Sequence, residues 1–132
     1  MASLASPIVP VSWGELLDKM TILEIKRERI KQVEARANVA REYEALRDTA
    51  DAALREEAVV ELISSLRHVN EELWEIEDAI RAQEAQAQFG ACFVRLARSV
   101  YRKNDERAAI KRRINSVLES DIVEEKSYWS AN

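Results

Sequence analysis

Glycine and proline are scarce in this chain: two of each in 132 residues, with both prolines, Pro7 and Pro10, at the start. Almost no turn punctuation follows Pro10, which argues against a turn-rich fold and for long helices. The single cysteine, Cys92, excludes an internal disulfide framework and fits a reducing compartment, so a cytoplasmic location is expected. A single histidine, His68, has no Cys or His neighbour at ligand spacing, and no Glu-x-x-His pair exists. A metal role is not indicated. With no glycine-rich phosphate loop and no Ser/His/Asp set, no cofactor is called for. No run approaches the ~18 apolar residues of a membrane span. The N-terminal MASLASPIVPVSW lacks the basic and apolar regions of a secretory signal.

What the chain does contain is charge and aliphatic residues, 33% and 47% of its composition. Those proportions fit long amphipathic helices with a period of about 3.6 residues. The net charge of −4 is unevenly spread. Residues 1–94 carry 11 basic and 18 acidic side chains, residues 95–113 carry 8 and 2, and residues 114–132 carry 1 and 4. The basic block is local, which argues against nucleic acid as a general partner.

Residues 1–11 read as an extended arm. Ser12 opens a helix through the capping box Ser12-x-x-Glu15, with Val11 placed to staple onto Leu16. Trp13, Leu16, Met20, Leu23 and Ile30 share one stripe, while Leu17, Ile22, Ile25 and Val33 fall outside it. Apolar residues on more than one side imply a second partner surface, most simply another copy of the chain. This first helix is expected over residues 12–47, about 54 Å long. A turn follows at residues 47–51, where two Asp and a Thr favour caps. A second helix spans 51–87, with a turn near 86–90 marked by Gly90 alone. A third spans 90–118, with Cys92 on its apolar side. The tail, 119–132, carries Tyr128 and Trp129 and is expected to dock back onto the bundle or a partner. The predicted fold is all-α: an elongated antiparallel three-helix bundle forming one domain and a homodimer.

Several charged residues fall on apolar faces. Matching heights across the three helices brings Arg27, Asn70, Asn104 and Arg107 to one level, with Tyr101 nearby and Glu34 and Lys111 one step along. This layer suits a carboxylate or phosphate, Arg through its bidentate fork and Lys as a point charge. A second polar cluster is expected from Glu15, Lys19, Glu77, Arg81, Glu84 and Arg98. The competing account of both is structural, because buried charges must be paired. Glu77 and Arg81 can neutralise each other at i,i+4, and acids of a second subunit can balance the basic layer.

Three strings carry a resemblance: WGELLDKMTILEIKRERI, LWEIEDAIRAQE, and FVRLARSVYRKNDERAAIKRRIN with EEKSY after it. Together, over residues 11–129, they are similar to an uncharacterised bacterial family of small helical proteins. Some members of that family are encoded near glycosyltransferase or surface-polysaccharide genes. The resemblance implies a family and no activity.

Three functions remain open. One is a noncatalytic module for a protein partner or small anionic ligand. Another is a small dimeric helical enzyme whose Arg27, Arg107 and Lys111 clamp a carboxylate or phosphate substrate, by analogy of fold with helical chorismate mutases. The third, RNA or membrane-surface binding through Arg95, Arg98, Arg102, Arg112 and Arg113, demands steep salt dependence.

Overall fold

The computed structural model describes residues 2–127, so the expectations for Tyr128 and Trp129 lie outside the described residues. Among the described residues the regular structure is all α-helix, with no strand. There are four helices rather than three: α1 (Trp13–Arg29), α2 (Val33–Leu54), α3 (Glu57–Ala85) and α4 (Ala91–Val117). None is long and apolar enough to cross a membrane.

The expected first helix is two helices. Its break lies at Ile30, which is extended at φ −77° and ψ 129°, although its N–H still donates to Lys26 O. Lys26, Arg27 and Arg29 fill the last turn of α1, setting positive charge at the negative end of the helix dipole. α2 then runs through residues 47–51, where a turn was expected. Ala50 is completely buried and Ala53 nearly so, and packing of these small side chains outweighs the capping preference of Asp48 and Asp51. The chain turns instead at Arg55 and Glu56, whose N–H groups donate to Asp51 O and Ala53 O.

The other two helix ends use one device. Ala87 adopts φ 51° after α3 and Glu119 adopts φ 51° after α4. Gln88 N–H reaches back to Gln83 O at 2.9 Å, and Ser120 N–H to Asn115 O at 2.8 Å. Both are Schellman endings with a non-glycine residue in the left-handed position. Gly90, the residue that marks this turn in the sequence, caps α4 with a negative φ of −82°.

α1 is the central element and packs on α2, α3 and α4. Ser12 caps it, accepting from Glu15 N–H at 3.1 Å. The amides of Trp13 and Gly14 donate to Ser120 Oγ and Asn115 Oδ1, so α4 and the residues after it complete the N-terminal cap. This requires close approach: a Cβ on Gly14 would lie 2.5 Å from Lys111 O. Leu16, Leu17 and Met20 form the main core cluster with Ala50, Ala53, Leu66 and Ile114. Leu17 and Ile25, two of the residues off the predicted stripe, are each 1% exposed. The chain's own helices thus cover the surface from which a second copy was inferred, whereas Val33 is open to solvent. Cys92, expected in the core, is exposed.

Candidate functional site

The site is organised around a residue absent from the sequence-derived layer. Asp18 lies on the buried face of α1 and is 1% exposed. Its Oδ1 accepts from Arg107 Nε at 2.9 Å and from Asn70 Nδ2 at 2.9 Å, and its Oδ2 accepts from Arg107 Nη2. Asn70 also donates to Thr21 Oγ1 at 2.8 Å, and that hydroxyl donates to Asp18 O at 2.7 Å. A buried carboxylate is thus matched by a two-point guanidinium and an amide, which is what burial of a charge demands. The Asp18 hydrogen bonds hold the Arg107 guanidinium above its ordinary pKa, against the opposing effect of burial.

Lys111 stands one turn further along α4. Its ammonium donates to Glu15 Oε2 at 2.7 Å and Glu124 Oε2 at 3.1 Å, and lies 3.8 Å from Asp18 Oδ2. Burial lowers its pKa, and the Glu15 and Glu124 bonds more than offset that, leaving it raised. Glu124 is held below the usual carboxylate range by Lys126 and then Lys111.

Two grooves meet at Arg107 and Asn104. One, of about 510 Å³, runs between α1, α3 and α4, with Ile22, Leu73 and Trp74 among its walls and Glu77, Arg81 and Asn70 among its polar groups. The other, of about 480 Å³, is bordered by Lys111, Glu15, Glu124 and Lys126, and its cations already hold carboxylates of the same chain. Arg107 lines both grooves. Asp18 takes Nε and Nη2, while Nη1 makes a long contact of 3.5 Å to Asn104 Oδ1.

A model of a family described as of unknown function, DUF6165, matches residues 8–131. The chain belongs to the DUF6165 family. No curated protein and no solved structure matches it. The matched family span includes Asp18, both grooves and the 120–127 segment that reaches Lys111.

The other residues singled out from the sequence are placed as follows. Asn70, Asn104, Arg107 and Lys111 converge on α1, but Arg27 does not join them. Its guanidinium lies 4.7 Å from the Tyr43 ring centroid, in a separate depression with Glu24, Glu28 and Arg67. The Arg27, Arg107, Lys111 clamp is therefore not formed, because Arg27 turns toward α2. Glu34 is exposed on α2 rather than beside Lys111. Tyr101 is exposed, its hydroxyl 3.5 Å from Arg98 Nε, and that bond lowers its pKa. The second cluster is dispersed: Glu15 pairs with Lys111, Lys19 with Glu42 at 3.1 Å, and Arg98 with Tyr101. Glu77 and Arg81, 4.0 Å apart, border the larger groove, and Glu84 is exposed. Among the described residues no group of His, Cys, Asp and Glu is arranged for a metal.

Sequence reading missed Asp18 and Thr21. A signal was available: Gly14, Asp18, Thr21 and Ile25 recur at helical spacing, so the second apolar side of α1 carries a carboxylate in its middle. The acid that balances Arg107 lies within the same chain.

Proposed function

We propose that this chain is a binding module rather than a catalyst, and that its ligand is a small amphipathic molecule carrying both an acid and an amino group. The observation that carries this reading is Arg107, fixed by Asp18 through Nε and Nη2 and holding Asn104 only by a long 3.5 Å bond from Nη1, on the lining of a groove with apolar walls. A preorganised donor in a concave, largely apolar groove of about 510 Å³ is the usual form of a small-molecule site.

The groove's charge sets the class of ligand. Arg107 is paired with Asp18 and Arg81 with Glu77, and Asp78 adds a further carboxylate to the lining, so a simple anion finds no net positive field. A zwitterion satisfies both signs: its carboxylate or phosphate meets Arg107 Nη1 and Arg81, its amino group meets Glu77, and its apolar part lies on Ile22, Leu73 and Trp74. No general acid or base is required for this role.

Calorimetric titration with phenylalanine and leucine, each also as the N-acetyl acid and the methyl ester, tests the proposal. The free amino acids bind, and each blocked form, lacking one charge, binds about tenfold more weakly, equivalent to one charge-assisted contact of about 1.4 kcal/mol. Arg81→Ala, at a solvent-exposed position, lowers affinity without loss of helix content. Absence of binding by the free amino acids at millimolar concentration, or equal binding by all three forms, sinks the reading.

A further inference from the structure

From Trp74 to Arg113, across the second half of α3 and most of α4, no side chain is buried. Yet this stretch holds Ile76, Ile80, Phe93, Leu96 and Val100, all half-buried, and Phe89 and Val94, which are 55% and 50% exposed. Phe89 and Phe93 pack edge-on at the tip, with centroids 5.3 Å apart. Beyond the groove that α1 borders, the tip of the α3–α4 hairpin leaves the apolar seam formed by these residues only partly covered. Two helices alone bury too little to hold such a seam closed, and a contiguous exposed apolar strip marks an interaction surface.

The charges beside the seam name the partner. Residues 71–84 of α3 carry six carboxylates and one cation, Arg81. Residues 91–102 of α4 carry Arg95, Arg98 and Arg102 and no acid. Among the described residues none of these three arginines forms an ion pair, and neither do Asp78 and Glu84. Glu71, Glu72, Glu75 and Glu77 are already paired with Arg67, Lys103, Arg29 and Arg81, which leaves Asp78 and Glu84 on α3 and Arg95, Arg98 and Arg102 on α4 as the exposed charges of these two strips without an ion-pair partner in their own chain. A two-fold pairing of hairpins sets each acidic strip against the basic strip of the other copy and closes both seams at once.

We infer that the α3–α4 hairpin is the surface on which two copies of this chain associate, forming a four-helix interface. This surface adjoins the groove and shares Asp78 with it, and the test below reads the mass of the assembly and not ligand binding.

Sedimentation equilibrium of the full chain at tens of micromolar tests it. The parent chain sediments at twice 15.1 kDa. The Arg95→Glu/Arg98→Glu variant and the Asp78→Lys/Glu84→Lys variant each sediment as monomers with unchanged far-UV circular dichroism, since all four positions are exposed. An equimolar mixture of the two variants regains the dimer mass, because each then presents the charge the other lacks. A monomeric parent, a dimer indifferent to these reversals, or a mixture that stays monomeric overturns the inference.

Discussion

Asp18 and Arg107, 89 residues apart in sequence, are locked together by two hydrogen bonds, with the aspartate shut off from solvent at 1% exposure. Removal of the guanidinium leaves a buried carboxylate with only the more distant Lys111, 3.8 Å away, as counter-charge. Arg107→Ala is therefore expected to lose about 3–5 kcal/mol of stability, measured by urea unfolding. Asp18→Leu combined with Arg107→Met recovers much of that loss, because a pair of apolar side chains avoids the cost of dehydrating two ions.

Gly14→Ala places a methyl group 2.5 Å from the Lys111 carbonyl, a backbone atom that cannot swing away. The helix start must shift, and about 1–3 kcal/mol is lost in a denaturant titration. Asn115→Ala strips the Gly14 amide of its acceptor and costs about 1–3 kcal/mol by a different route, an orphaned buried donor.

Ala87→Gly and Glu119→Gly are each expected to stabilise the chain by roughly 0.5–1 kcal/mol, seen as a higher melting temperature. Both residues hold φ 51°, where a side chain is strained and glycine is not.

Acid weakens the contact between the 120–127 segment and α4. Glu124 is held below its ordinary pKa in the folded chain, by Lys126 and then Lys111. Its contribution to stability is complete above the unfolded carboxylate value and is lost as pH falls through the lower folded value. Lys111 works at the other extreme: its raised pKa gives stability below the ordinary lysine value that is lost as pH rises through the folded one. Unfolding midpoints of Glu124→Gln are therefore less sensitive to pH than those of the parent over the acid range.

Arg27→Ala leaves ligand affinity in the titration above unchanged, since its guanidinium rests on Tyr43, away from the groove at Arg107. A marked loss of affinity would tie the two depressions together.

These outcomes depend on features that differ in how plainly the sequence displays them. Helical periodicity and the N-cap at Ser12 are local, and both are legible: Glu15 N–H bonds Ser12 Oγ, although the Glu15 carboxylate, expected to complete a capping box, is bonded to Lys111. The helix stops are not, because Ile30, Ala87 and Glu119 end helices at positions where glycine or proline would normally signal it. The one internal glycine inside a helix, Gly14, marks close packing on α4 rather than a turn. Facing directions are partly legible. Arg107 and Lys111 share a line with the apolar residues of α4, but their partners depend on where α1 ends. An uninterrupted first helix sets Arg27 at their level, whereas the break at Ile30 folds α2 back over Arg27 and leaves Asp18 facing them.

The enclosure of α1 bears on the order in which the molecule is made. Its cap is completed by Asn115, 101 residues downstream of Gly14. At a synthesis rate of about 5–20 residues per second, α1 emerges roughly 5–20 s before the helix that shelters it. In that interval Leu16, Leu17 and Met20 have no α4 to lie against, and the new chain depends on α2 and α3 to shield its most apolar segment.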